Sequence, residues 1–495
     1  MEAAIAQRDW DKANALLVET RAMAPDDARV SLMKARIARA AGQGGRAPRA
    51  LERAQQQMAA RGGAMPAVAI GAAAGEGGQG NPFRTPAPGP AASLPPGLDP
   101  VAAEVARELT AVREETAGRL QATLGLRVRS GTAGLDRLGE VSAAQSVALP
   151  GRLLGGQVSA SVTPVAITTG QIETGNLALL RSVGTNALAP ALRQPPGQAM
   201  GPSQVARDRA VPRDDSAAGV ALGLAYSCNA VTADIGTTPL GFRQQAVIGG
   251  VELAPALNDT LRLRVTAGRR AVTDSLLAWA EVRDPNSGQS WGGVTRHGGR
   301  VQLEIGSKPV GFYVGGGYAE FRGDHVAKNS RVEAGAGAAW SILRRPEETL
   351  IAGLDLVYFG YDNNQRLFTY GNGGYFSPQS YVAANIPLDW RRREDDLAWR
   401  VGGTIGYQAY KEDAARYFPL DPGLQAQAET AAAGDPSLRA AQPSATKSGV
   451  TGGVRGDIEY AVTGNLKLGG LLRHDRTGDW NEARGLLFAR YRFGP

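Results

Sequence analysis

The sequence predicts an all-β transmembrane barrel of about sixteen antiparallel strands, preceded by a small all-α segment resembling tetratricopeptide repeats. Three observations lead there. From residue 119 to the end the chain alternates apolar and polar residues with a period of two. Its connections segregate by parity into a short set and a long set. The polar face also carries more charge than a soluble sandwich could use.

Composition narrows the classes first. The chain has 495 residues with 65 glycines, and only 20% are charged. No apolar run reaches the ~18 residues that a spanning helix needs, whereas barrel strands average out in any hydropathy window. The net charge of +7 is scattered, with no basic stripe interleaved with aromatics, so no nucleic-acid partner is expected. A single cysteine, Cys228, excludes an internal disulfide and reads as a small apolar residue.

Residues 1–58 read as helices. Trp10, Ala13 and Leu17 return in register as Gly44, Ala47 and Leu51, a shift of ~34 residues that matches the tetratricopeptide period. Fewer than two such units are present, and units of this kind need neighbours to bury their faces. The opening "MEAAIAQRDWDKANALL" is charged and helical rather than a signal peptide. It leaves two readings, a cytoplasmic protein or a chain without its true beginning. Residues 59–98 are rich in Pro, Gly and Ala without periodicity and form a linker. Residues 99–118 form a helical lead-in with Val101, Val105, Leu109 and Val112 roughly in line; plug, cap and simple entry to the wall all remain open.

Residues 119–495 are the barrel. In "RLQATLGLRVRSG" (119–131), Leu120, Leu124, Leu126 and Val128 share one face, opposite Gln121, Thr123, Arg127 and Arg129. "GVALGLAYS", "LRLRVTAG", "VQLEIG", "VRGDIEYAV" and "LLFARYRF" repeat the pattern. Short connections near 229, 257–259, 306–309, 344–348, 391–396 and 463–465 fall on one side. Long ones, near 165–216, 269–298, 362–377 and 411–446, fall on the other. Tight periplasmic turns and long external loops produce that parity, and a sandwich has no reason to. The greasy face therefore points at lipid. Arg127, Arg262, Arg264, Glu304, Arg455, Asp457, Arg490 and Arg492 then line a hydrated lumen. Tyr226, Tyr358, Trp390, Trp399, Tyr460 and Tyr491 form interfacial girdles.

"DIGTTPLGF" (234–242), "VTDSLLAWAEVRDPNSGQSWGGVTRHGGR" (272–300), "TYGNGGYFSPQSY" (369–381) and "YKEDAARYFPLDP" (410–422) resemble the C-terminal barrel of the cellulose synthase operon outer-membrane protein C family. The resemblance runs from about Asn81 to Phe493. It implies an outer-membrane pore that exports cellulose or a related β-glucan, with its N-terminal part in the periplasm. It implies a link, through periplasmic repeats, to an inner-membrane cellulose synthase complex. A general diffusion porin and a barrel-anchored periplasmic scaffold are the alternatives. Which polysaccharide is carried and the oligomeric state are not legible.

The candidate substrate-binding residues lie in the long loops: Tyr370, Tyr375 and Phe376 in "TYGNGGYFSPQ", Trp291 with Arg283 and Asp284 in "RDPNSGQSWGG", and Tyr417 and Phe418 in "EDAARYFPLDP". Aromatic faces stack on sugar C–H surfaces, and glycines let a loop turn tightly enough to aim them at a pore mouth. The bland reading is that these rings pack the loops on themselves. Catalysis is not expected. His297, His325 and His474 sit in no HExxH and at no zinc-ligand spacing, and "GEGGQG" and "GTTPLG" lack the Lys-Ser/Thr of a phosphate loop. No metal and no cofactor is expected.

Overall fold

The computed structural model describes residues 9–24, 27–40, 50–51, 53–54, 57, 117–150, 156–193 and 201–493, apart from positions 229, 259, 308, 346 and 479. The linker at 59–98 and nearly all of the lead-in at 99–118 lie outside the described residues, as do Gly44 and Ala47.

Near the N-terminus, α1 (Trp10–Met23) and α2 (Ala28–Ala40) pack together through Ala13, Leu17, Val30 and Ile37. Asp9 caps α1 by accepting from the Lys12 N–H, satisfying one of the donors that a helix start leaves open. Leu51 is buried as well.

The wall consists of β1 (Gly118–Arg129), β2 (Leu138–Pro150), β3 (Gln157–Thr168), β4 (Ser216–Cys228), β5 (Val231–Thr237), β6 (Val247–Leu253), β7 (Leu261–Ala271) and β8 (Ser290–Ser307). It continues through β9 (Val310–Asp324), β10 (Asn329–Arg344), β11 (Glu348–Tyr361), β12 (Ser380–Glu394), β13 (Leu397–Glu412), β14 (Ala445–Ala461), β15 (Leu466–Thr477) and β16 (Trp480–Phe493). Each strand pairs antiparallel with the next, and β16 returns to β1 with Leu124 opposite Leu487. The sixteen strands close, so no edge is left to aggregate. The two-residue strand Val282–Arg283 only extends the loop side of β8.

The direction of each face is unambiguous. Along β1, Leu120, Leu124, Leu126 and Val128 are about half exposed, while Arg127 and Arg129 are buried. Leu222, Leu224, Val301, Val401, Ile405, Val454, Leu472 and Leu487 likewise face outward. Apolar side chains exposed on every strand around a closed wall are a lipid-contacting surface. Near the tight-turn end Phe312, Trp340, Trp390, Tyr460 and Tyr491 stand on that surface; Tyr318, Tyr358 and Tyr407 stand towards the other end. Trp399 sits edge-on to Trp390, with centroids 4.9 Å apart. These are the two girdle levels that a bilayer selects.

Connections at 229–230, 254–260, 308–309, 345–347, 395–396 and 462–465 close one end. The connections at 169–215, 272–289, 362–379 and 413–444 all lie at the other, together with short ones at 130–137, 238–246, 325–328 and 478–479. The parity holds. Two of the lumen charges proposed from sequence sit instead at the tight-turn rim. Arg492 donates to Gly464 O at 2.9 Å, and Arg262 is exposed.

Candidate functional site

The four long connections fold back over the mouth as one apolar cap. Leu138, Val165, Ile167 and Phe321, which point inward at the loop end of the wall, pack against Leu276, Leu277, Val282, Trp291 and Tyr375. The 272–289 connection crosses to the far wall. There the Arg127 guanidinium donates to Thr273 O at 3.2 Å, and Arg129 donates to Asp274 O at 3.1 Å. Ser275 Oγ donates to Gly374 O at 2.7 Å, and Phe376 N donates to Asp274 Oδ2 at 3.3 Å, tying this connection to 362–379. Ser275 also caps α3 (Leu276–Ala280).

Five of the eight candidate residues serve this cap. Trp291 has no exposed surface and lies 5.6 Å, centroid to centroid, from Tyr370. Tyr375 is stacked on Phe321 at 5.4 Å, and its hydroxyl is bonded to Asn329. Burial pushes that phenol's pKa upward. Tyr417 and Phe418 form a second apolar cluster with Ala187 and Ala428 of neighbouring connections. Asp284 is buried and accepts from Thr185 N (2.7 Å), Thr185 Oγ1 (2.8 Å), Ser287 N (2.7 Å) and Ser287 Oγ (2.7 Å). It staples 169–215 to 272–289. The close approach requires Gly184, whose φ is +52°, because a Cβ there would strike the carboxylate. In this closed arrangement the faces of these rings are covered by protein.

The other three are accessible. Arg283 is exposed and lies 3.5 Å from Asp214. Tyr370 is half-buried, and its hydroxyl donates to Gln289 at 2.9 Å. Burial, then Asp324, raises the pKa of its phenol. Phe376 turns away from the cap core, edge-on to Tyr381 and Tyr410, with Arg366 5.8 Å above its ring.

Phe376 joins a set of rings that the sequence reasoning missed. On the inward faces of β11, β12 and β13, Phe359 stacks on Tyr381 with centroids 4.3 Å apart and planes 13° from parallel. Tyr381 continues to Tyr410 at 6.5 Å and 22°. The Tyr381 hydroxyl donates to Gln408 at 2.9 Å, fixing the ring. The Arg331 guanidinium lies 5.5 Å from the Phe359 ring. Phe359, Tyr381 and Phe376 are half-buried, so part of each ring remains open just below the cap. A signal was available: Phe359 and Tyr381 occupy the otherwise polar parity, one residue out of phase with Tyr358 and Val382.

Away from these rings the lumen wall is charged, its paired acids each held by one or more cations, with arginine in excess where Glu333 meets Arg300 and Arg331 and Asp389 meets Arg391 and Arg400. Pairs two residues apart on one strand share a face: Arg455–Asp457 (2.7 Å), Arg473–Asp475 (2.6 Å), Arg484–Glu482 (2.5 Å) and Arg391–Asp389 (2.5 Å). Cross-strand pairs add Arg127–Glu482 (2.9 Å), Arg264–Glu304 (2.8 Å) and Arg490–Glu459 (3.4 Å). Such a surface stays hydrated, with its charged side chains held in fixed pairs and networks along the wall.

The family profile "Cellulose synthase operon protein C C-terminus" matches residues 136–494. The chain is 37% identical over 386 residues to "Cellulose synthase 2 operon protein C" of Komagataeibacter xylinus, covering 78% of this chain and 28% of that protein. It is 35% identical over 493 residues to a "Cellulose synthase operon protein C" of the same species, covering 94% of this chain and 37% of that protein. A solved "Bacterial polysaccharide outer membrane secretin" superposes with a TM-score of 0.46 at 10% identity, covering 77% of this chain and 99% of that one. The chain thus spans about a third of the length of the curated relatives it matches. It belongs to the cellulose synthase operon protein C family, through that family's C-terminal region.

Proposed function

We propose that this member of the cellulose synthase operon protein C family is an outer-membrane channel through which cellulose or a related β-glucan leaves the cell. The observation that carries the reading is the half-open aromatic stack Phe359–Tyr381 on the lumen wall beneath the cap, with Phe376 edge-on to it. A β-glucan presents alternating apolar C–H faces and hydroxyl edges, which suit ring faces and short polar side chains. Contacts in a translocating pore must be several and weak, so that the polymer enters and still slides.

The cap packs against inward wall residues at the loop-side mouth, and export requires the 272–289 and 362–379 connections to withdraw. The tight-turn end then faces the periplasm, together with residues 1–58. In the full-length protein the helical segment and the linker at 59–98 would connect the barrel, through further tetratricopeptide repeats, to the inner-membrane cellulose synthase complex. The barrel's role is transport, with no bond made or broken.

Single-channel conductance of the purified chain in a planar bilayer, with soluble cello-oligosaccharides added, tests this. Block that deepens with oligomer length supports export. A steady conductance indifferent to every oligomer leaves a general diffusion porin, and glucan-independent binding of periplasmic partners by residues 1–58 alone leaves a scaffold.

A further inference from the structure

One stretch of the outer wall departs from the rest. Where β14, β15, β16 and β1 run side by side, outward positions line up in rows across the strands. Leu126, Gly485, Leu472 and Gly456 make one row, and Val128, Ala483, His474 and Val454 make the next towards the loop end. Glycine and alanine alternate with large aliphatics, so the wall is grooved rather than flush. The groove has a volume of about 540 Å³. Arg455, Arg473 and Arg484 border it too, but each forms an ion pair with an inward acid. Leu472 (73%) and Val454 (64%) are among the most exposed aliphatics of the chain. A Cβ added at Gly456 would meet no atom within 4 Å.

The next row up is headed by Arg476, which pairs in register with Gly452 and Asn481. Arg476 and His474 are both exposed on the outward parity, and among the described residues neither has an ion-pair partner. Two other cations of the loop-side outer rim are neutralised in place: Arg322 lies 2.5 Å from Glu320, and Lys411 lies 2.8 Å from Asp413. An apolar groove at bilayer depth, surmounted by an unneutralised cation and an imidazole, has the polarity of one lipid molecule standing head upward.

We infer that this seam is a specific site for one net-anionic acylated lipid of the loop-side leaflet whose headgroup carries a phosphate monoester. An acyl chain lies along the Gly456–Gly485 groove, and a phosphate meets Arg476 and His474. The inference rests on the barrel crossing the outer membrane with its long loops external, as proposed above. Guanidinium forks match phosphate oxygens bidentately. A lysine or arginine near an anionic headgroup contributes about 1 kcal/mol, so Arg476 alone separates anionic from zwitterionic lipid by about fivefold, and a hydrogen bond from His474 widens the margin.

The test is native mass spectrometry of the full chain in non-ionic detergent, titrated with bisphosphorylated lipid A or with phosphatidylethanolamine. The wild type should retain one lipid A molecule and no phosphatidylethanolamine. His474→Gln/Arg476→Gln should weaken retention about fivefold or more. Gly456→Leu, which fills the groove, should reduce it with the cations intact. Each variant is checked for a closed barrel by its heat-modifiable mobility, and the double variant leaves the groove unaltered. Equal retention by all three proteins overturns the inference, as does equal retention of the two lipids or the appearance of a barrel dimer in place of bound lipid. Oligosaccharide block measured in parallel should be unchanged by either variant. Loss of block in the wild type would count against export instead and leave the lipid result standing.

Discussion

Two sets of aromatic rings, bridged by Tyr361 at 6.1 Å from both Tyr375 and Phe359, serve opposite purposes. In the cap, Trp291, Tyr375 and Phe418 are at most 2% exposed, with every face against protein. On the lumen wall, Phe359 and Tyr381 stack on one another, Phe376 of the 362–379 connection stands edge-on to Tyr381, and all three remain half open. The same residue type is consumed by packing in one place and presented in the other. The difference lies in what surrounds the ring: loop meets loop at the mouth, whereas strand meets water in the lumen. Substitutions in the first set should change whether the pore is shut, and substitutions in the second should change what it holds.

The largest expected effect is Trp291→Ala. Removing a fully buried indole costs about 3–5 kcal/mol of local stability, which loosens the cap while the wall's hydrogen-bonded ladder stands. Open-state conductance should rise, and loop-side proteolysis should accelerate. Unchanged conductance would mean that the cap does not obstruct the pore.

Next is the outer wall. Leu124→Arg places a charge on the lipid face near mid-height, which costs about 2–4 kcal/mol in a bilayer. Thr123→Arg, its inward neighbour, should cost far less. Comparable losses for the two in urea titrations of the refolded barrel would contradict the inside-out assignment. Asp284→Ala removes the staple between two long connections. It leaves the Thr185 and Ser287 donors unpaired, at about 1–3 kcal/mol, and should give a weaker copy of the Trp291 phenotype.

The smallest effect concerns Glu281. It sits at the base of α3 with φ +64°, buried, with one carboxylate oxygen unpartnered. Burial raises its pKa; Asp324 raises it further, while Arg243 and His325 oppose the change. An acid whose folded pKa is raised binds more protons in the closed cap than in the released loop. The closed cap is therefore most secure below the ordinary carboxylate pKa and loses stability as pH climbs through the raised one. Glu281→Gln should reduce cap opening at pH 7 and have little effect at pH 4, read as open probability at the two pH values.

The wall was legible because alternation is enforced residue by residue. A one-residue slip in β1 would turn Leu124 into the lumen and Arg127 into lipid, so the pattern carries its own orientation. Loop parity followed from strand lengths, and the motifs "DPNSGQSWGG" and "YGNGGYFSPQ" marked the connections that matter. The packing of those connections had no period to read. Asp284 and Thr185 are 99 residues apart, as are Ser275 and Gly374. Only the closed fold brings them together, so Trp291 and Tyr375 looked as available as Phe376. The lumen rings were missed for a different reason. In "VYFGY", Tyr358 stands on the lipid side and Phe359 on the water side, and an aromatic run draws attention away from its own parity.

One comparison tests the proposed glucan channel and assigns any oligosaccharide block to the wall or to the cap. In a planar bilayer, on a background opened by Trp291→Ala, the half-blocking concentration of a long cello-oligosaccharide is measured with and without Phe359→Ala/Tyr381→Ala. Each stacked ring contributes about 0.5–1.5 kcal/mol. Block should therefore persist in the Trp291→Ala channel and weaken about five- to a hundredfold when both wall rings are removed. Block lost with Trp291→Ala alone, or retained in full without the two wall rings, would contradict the account.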